Sequence, residues 1–174
     1  VEKYVAVRRI VQLGEPILRQ KAKKVHRVDD SIRHLIDDMI ETMIDAPGSG
    51  LAAPQVNVPL RVIVTHVDDE LRVVVNPEIV DASDDLEEGY EGCLSMPGWT
   101  GPVDRHLKVT VRGLSKTGKP IKIKSEGWEA RAFQHEVDHL NGIMFIDRID
   151  DKSKLHRVET EAEEEELEEQ QVFA

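Results

Sequence analysis

The hydrophobic pattern changes period once along the chain, and that change limits the folds open to it. Ile32, Leu35, Ile36, Met39, Ile40, Met43 and Ile44 fall at i, i+3, i+4, i+7, i+8, i+11 and i+12, a single stripe along an α-helix. Asp29 or Asp30 stands where a side chain caps a helix start, and Pro47-Gly48 stands where a helix stops. The stripe implies an amphipathic helix over 31–45 packed on a sheet, with its methionines as core filler. Upstream, GEPILRQKAKKV (14–25) reads as a short helix or turn anchored by Ile17 and Leu18.

From about 60 to 124 the period falls to two. LRVIVTHV and LRVVVNPEIV are β-branched runs parted by the acidic turn DDE (68–70), a hairpin signal. HLKVTVRGL sets Leu107, Val109 and Val111 against Lys108, Thr110 and Arg112, so one face is wet; IKIK alternates again after the turn KTGKP. Antiparallel pairs of this kind imply an α+β domain, not a βαβ array.

A second helix is expected over 126–141, with Ser125 as N-cap and Gly142 as C′ residue. Ala130, Phe133, Val137 and Leu140 share one side, and Trp128 and Ala132 lie nearer the opposite one. Apolar neighbours on both flanks imply a buried helix. The acidic run VETEAEEEELEEQQ (158–171) has helix propensity but few core anchors and reads as a solvated helix or tail. The expected architecture is therefore α+β, with antiparallel sheets around a central helix, an N-terminal amphipathic helix and an acidic C-terminal helix or tail. The expected domain is 1–150, with 151–174 as the acidic end.

That buried helix carries His135-Glu136-Val137-Asp138-His139. Imidazoles at i and i+4 converge on one metal ion, and the glutamate between them reaches an ion-bound water instead of the ion. A third ligand is needed. Downstream, His156 lies beside the acidic tail and is a poor candidate; upstream stands Cys93, the one cysteine of the chain, in EGCLSMPG. Cys93, His135 and His139 would give an N₂S site with a fourth position open. GSGLAAPQV (48–56) adds Gly48 and Gly50, which let a ligand approach the backbone closely, and Gln55, an amide donor to which spacing alone assigns no role. The loop lacks a Gly-Lys-Ser/Thr ending and is no phosphate loop. His26, His34 and His66 are isolated and read as surface or satisfied histidines, and His106 begins a strand and gives no signal.

Composition excludes other classes. The net charge of −11 argues against broad attraction to nucleic acid or anionic lipid, and aromatic residues at 4% leave no stacking platform for single strands. A lone cysteine makes no intramolecular disulfide and suits a reducing compartment. No apolar run is long enough to span a bilayer, so the cytoplasm is expected, with an organelle of bacterial origin left open.

Three motifs together resemble the peptide deformylase family. Gly48, Gly50, Leu51, Ala52, Ala53 and Gln55 match its G-x-G-L-A-A-x-Q loop; Glu91 to Ser95 match E-G-C-L-S; Gln134, His135, Glu136, Asp138, His139, Leu140 and Gly142 match Q-H-E-x-D-H-L-x-G. The similarity runs from about residue 9 to 150. It implies removal of the formyl group from N-terminal formyl-methionine of nascent polypeptides, with release of formate. It further implies one divalent metal on Cys93, His135 and His139, Fe²⁺ in the cell with Zn²⁺, Ni²⁺ or Co²⁺ as substitutes. Glu136 would be general base and acid, and Gln55 with the Leu94 backbone N–H would serve the developing oxyanion. Gly48, Gly50, Glu91, Gly92 and Trp128 would contact substrate. The implied partners are formylated nascent peptides, with transient ribosome proximity, no DNA, no membrane and a monomeric chain.

The sequence departs from the family at two pocket positions. Ser49 stands where many relatives carry a branched apolar residue, and Arg131 stands at a position that often lines the pocket, where it does not fit an apolar wall unless its head snorkels outwards. Three rivals remain: a zincin-like peptidase with a downstream ligand, a cysteine hydrolase using Cys93 as nucleophile, and a non-catalytic binding module.

Overall fold

The structure, a computed structural model, describes residues 4–158 together with 163, 165, 172 and 173. Helix α1 (Asp30–Asp45) starts where expected: Asp29 accepts a hydrogen bond from the Ile32 N–H and caps the first turn. Ile32, Leu35, Ile36, Met39 and Met43 are buried, but Ile44, the last of the stripe, is 55% exposed. Asp38 and Thr42, off the stripe, are buried instead, because residues 6–8 lie across them. Asp38 accepts from the Ala6 N–H and the Arg8 guanidinium, and Thr42 Oγ1 from the Arg8 N–H.

Seven strands follow: β1 (Gly50–Ala52), β2 (Val62–Val67), β3 (Glu70–Ala82), β4 (Leu86–Cys93), β5 (Met96–His106), β6 (Lys108–Leu114) and β7 (Pro120–Glu126). Strands β1-β2-β3-β6-β7 form an antiparallel five-stranded sheet with β1 at its edge. The β2–β3 hairpin turns on Asp68 and Asp69, both at positive φ (53° and 62°), the backbone that a two-residue hairpin requires. Thr110 of β6 is buried between exposed Lys108 and Arg112, so the face expected to be wet is wet only at its ends.

Helix α2 (Gly127–Leu140) packs on the opposite face of this sheet from α1. Val62 and Val64 join the α1 cluster; Ile63 joins the cluster of Ala130, Phe133 and Leu140. Burial of both faces explains why β2 reads as a continuous apolar run without alternation. Glu126, not Ser125, takes the N-cap position, and its side chain gives no capping bond. Asn141 is the C-cap and Gly142 follows at φ 74°, with the Arg19 carbonyl 2.6 Å from where a Cβ would stand, so both conformation and space require glycine.

The second sheet has the order β8-β5-β4-β9, with β8 (His156–Arg157) and β9 (Val172–Phe173). Val172 and Phe173 pair parallel with Glu91 and Gly92. The expected acidic helix or tail over 151–174 otherwise falls largely outside the described residues. Val11, Leu18, Val103, Met144, Phe145 and Ile149 form a third core under this sheet together with Cys93. No helix among the described residues is long and apolar enough to cross a membrane.

Candidate metal centre

Strand β4 and helix α2 run past each other in matched steps. Glu91 and Cys93, two residues apart on a strand, face the same side and span about 6.6 Å. His135 and His139, four apart on a helix, are separated by a rise of about 6 Å. Each strand residue therefore meets its own histidine: Glu91 Oε1 lies 2.7 Å from His135 Nδ1, and Cys93 Sγ lies 3.4 Å from His139 Nε2. The register of the β4–β5 hairpin shifts between Glu91 and Cys93, leaving Cys93 opposite Met96 with only Leu94 and Ser95 between them.

The Nε2 atoms of His135 and His139 face each other at 3.1 Å, and one donor atom from each of Cys93, His135 and His139 lies within 4.8 Å of the others. All three side chains are buried. Two imidazole nitrogens and a sulfur turned to one point are a donor set for a borderline or soft divalent ion. The contact of His135 with a carboxylate through its far nitrogen is the arrangement that orients metal-ligating imidazoles. Burial pushes the Cys93 thiol well up; hydrogen bonds from Ser95 oppose this and the nearby Glu136 charge adds to it. A cation at this point is what would make the sulfur a thiolate. The residues fit a metal ion.

Glu136 lies beside the cluster, fully buried, and neither carboxylate oxygen has a hydrogen-bond partner among the described residues. It rests against β1, where a Cβ on Gly50 would stand 2.6 Å from Glu136 Oε1. Only glycine leaves the carboxylate its place. Burial raises its pKa well above the ordinary value, the charges of Glu91 and Asp138 raise it further, and Arg105 opposes them. Its surroundings thus favour the protonated form over the carboxylate.

Gln55, also buried, is held at both ends of its amide. Its Oε1 accepts from the Ala52 N–H at 2.9 Å, and its Nε2 donates to Ser95 Oγ at 3.1 Å while lying 3.6 Å from Cys93 Sγ. The amide NH₂ is thus presented to the cluster, with one hydrogen on Ser95 Oγ and the other directed at Cys93 Sγ. Leu94 follows Cys93 directly in the turn.

The other expected substrate contacts are placed less uniformly. Gly48 closes α1, donating to the Met43 carbonyl, and Gly92 is buried on β4. Trp128 packs with Val67 and Ala132 near the start of α2, about two turns before His135, and is not brought to the cluster. Glu91 sits behind His135 with no exposed surface. It accepts from Arg105 Nε and Nη2 at 2.8 and 2.9 Å, from Arg131 Nη1 at 2.8 Å, and lies on His135 Nδ1. Burial alone would raise its pKa, but the Arg105 charge and hydrogen bonds and the His135 contact outweigh that and hold it far below the usual range.

The sequence did not disclose this ion network. Arg131 does not snorkel outwards: it is 3% exposed, because Glu91 and three backbone carbonyls satisfy its guanidinium in the interior. Arg105 bridges Glu91 and Asp138, and Asp138 also accepts from Arg148. Gln134 brackets the end of β5, accepting from the His106 N–H and donating to the His106 carbonyl. The only signal for these residues was that ionisable and amide side chains sat on a helix otherwise read as buried. His26, His34, His66, His106 and His156 are exposed and lie outside the cluster.

The polypeptide deformylase family model matches residues 7–155. A peptide deformylase of Dehalococcoides mccartyi (strain CBDB1) is 49% identical over 156 residues, 88% of this chain and 93% of that one. A peptide deformylase of Halothermothrix orenii is 51% identical over 146 residues, 82% of this chain and 94% of that one. The crystal structure of peptide deformylase from Thermotoga maritima superposes with a TM-score of 0.82 at 41% identity, covering 83% of this chain and 99% of that one. The Synechococcus elongatus enzyme in complex with actinonin gives a TM-score of 0.82 at 38% identity, covering 98% of this chain and 91% of that one. Built on a buried Cys-His-His cluster and matched along nearly the whole of its relatives, this chain belongs to the peptide deformylase family, metal-dependent hydrolases that remove N-terminal formyl groups.

Proposed function

We propose that this chain hydrolyses the formamide of N-terminal formyl-methionine on nascent polypeptides and releases formate. Cys93, His135 and His139 would hold one divalent ion, Fe²⁺ in the cell. When bound, the ion supplies Lewis acidity that lowers the pKa of water and polarises the formyl carbonyl.

The remaining steps belong to the protein. Glu136 takes the proton of the attacking water and hands it to the departing amine; its burial without partners is the observation that carries this reading. The Gln55 amide and the Leu94 backbone N–H donate to the oxyanion, and removing one such donor costs about 10²–10³ in rate. The Ala52 N–H and the Ser95 hydroxyl that grip Gln55 keep the amide from turning its oxygen to the site. Gly50 lies on β1, the edge of its sheet, which supports an extended peptide pairing there by its backbone, whatever its side chains. The acidic balance of the chain supports meeting nascent chains by diffusion, as a cytoplasmic monomer, without tight attachment to ribosomal RNA.

The test is formate release from formyl-Met-Ala-Ser by protein purified without oxygen, with metal content measured on the same sample. Release that stops on chelation and returns with Fe²⁺ or Ni²⁺ is expected. Cleavage of internal peptide bonds without formate would favour a zincin-like peptidase, and chelator-resistant activity blocked by alkylation would favour a cysteine hydrolase. Actinonin, bound to the Synechococcus relative, serves as a probe: it should raise the melting temperature of the metal-loaded protein.

A further inference from the structure

Arg131 occupies an unusual place for a cation. It is buried on α2 one turn before His135, and its guanidinium reaches back to the strand that carries Cys93. Nη2 donates to the Glu87 carbonyl at 2.6 Å; Nη1 donates to Glu91 Oε2 and the Val103 carbonyl at 2.8 Å each, with the Gly89 carbonyl at 3.4 Å. Three of these acceptors are on β4 and one is on β5. A Cβ on Gly89 would stand 2.8 Å from Arg131 Cζ, so the strand lacks a side chain where the guanidinium lies flat against it.

Desolvating a guanidinium is costly, and a neutral apolar residue could fill the same volume. What an apolar residue could not do is hold Glu91 Oε2 while Glu91 Oε1 meets His135. Arg105 grips the same carboxylate with two donors, but it comes from β5 and is shared with Asp138. Arg131 alone of the Glu91 partners ties α2, which carries both imidazoles, to the β4 backbone at Glu87 and Gly89, ahead of the sulfur at Cys93.

We propose that Arg131 is a positioning residue for the metal centre: through Glu91 and the β4 carbonyls it fixes the orientation of His135 and the separation between the Cys93 strand and the histidine helix. This rests on the metal-centre reading of Cys93, His135 and His139. It makes a fork-shaped cation necessary there, since a lysine can keep the charge on Glu91 but cannot span Glu87 and Val103 at once.

The experiment uses full-length protein with Arg131→Met, Arg131→Lys and Gly89→Ala, each loaded with Co²⁺. Metal affinity is read by chelator competition, ligand geometry by the visible cobalt spectrum, folding by melting temperature, and kcat and KM on formyl-Met-Ala-Ser. Arg131→Met should weaken metal affinity about 10–100-fold, the range for lost partners of metal-ligating side chains, shift the cobalt bands and lower kcat more than KM. Arg131→Lys should recover part of the affinity but not the wild-type spectrum. Gly89→Ala, which displaces the guanidinium without removing it, should shift the spectrum in the same direction by less. If Arg131→Met does not fold, the lysine and alanine variants decide. A lowered melting temperature with unchanged cobalt spectrum, affinity and kcat in the variants that fold would overturn the proposal and leave Arg131 a purely structural residue. Wild-type protein that binds cobalt yet releases no formate would refute the proposed function instead, and the spectral comparison would still stand.

Discussion

Two glutamates accompany the histidine pair, both fully buried, and their surroundings differ sharply. Glu91 has donors from Arg105, Arg131 and His135 around its two oxygens and is held ionised. Glu136, against Gly50, has no donor among the described residues, and burial drives it towards its neutral form. A carboxylate enclosed by fixed cations is a piece of architecture, because protonating it would break an ion network. A carboxyl with open valence is costly to the fold, and the protein retains it where a reaction can use it. The helix separates the two roles by geometry: His135 and Glu136 are neighbours in sequence but point to different partners.

The largest effect should come from emptying the satisfied site. Glu91→Ala would leave Arg105 and Arg131 without their shared counter-charge in the core, a loss of about 3–5 kcal/mol. Chemical denaturation should show it, and metal should be lost with it. Glu136→Gln should do the reverse: formate release should fall by about 10²–10⁴-fold, the range for a general acid–base group, while stability stays the same or rises and metal content is kept. Gly50→Ala sharpens the contrast, since its Cβ would meet Glu136 Oε1 at 2.6 Å and must push the carboxylate aside. Its kcat should fall about 10-fold or more, because a displacement of an ångström costs up to about 10² in rate.

The pH dependence of the metal-free protein separates the two carboxyls by sign. Glu91 is held below its ordinary value of 4.5, so its contribution to stability is full above that pH and is lost as the pH falls through and below it. Glu136 is raised above 4.5, so it imposes no penalty at low pH and an increasing one as the pH climbs past 4.5. The melting temperature of Glu136→Gln should therefore draw ahead of wild type as pH rises from 4.5 to 7. A gap that narrows over that range would contradict the assignment. The smallest effect belongs to the rim of the Glu91 network. Arg148 pairs with Asp138 but its side chain is 47% exposed, and Arg148→Ala should cost under about 1 kcal/mol in urea denaturation.

Elements with a clean period were legible in the sequence. The stripe from Ile32 to Met43, the β2–β3 hairpin with its Asp68-Asp69 turn, and the buried helix with His135 and His139 all follow from spacing and capping. The β4–β5 hairpin was not legible as two long strands. Residues 86–106 are rich in Glu, Asp, Gly and Pro, which β propensity disfavours, and only long-range pairing with α2 and the core under Phe145 makes them strands. For the same reason the ligand trio could be assembled from residue chemistry, but the role of Glu91 could not. Its position in E-G-C-L-S looks like a loop contact, and its partners Arg105 and Arg131 lie 14 and 40 residues away. Arg131 fitted an apolar wall only with its head turned outwards; the structure instead satisfies it inside with three carbonyls and a carboxylate, partners that helix spacing does not reveal.

The most direct test of the account is to measure metal content and formate release on the same folded samples of wild type and Glu136→Gln. The account predicts a filled metal site in both and release from the wild type alone, slower by at least about 10² in the variant. A variant that keeps its metal and turns over formyl-Met-Ala-Ser at the wild-type rate would show that the unpartnered carboxyl is not the proton carrier, and the contrast between the two glutamates would lose its functional meaning.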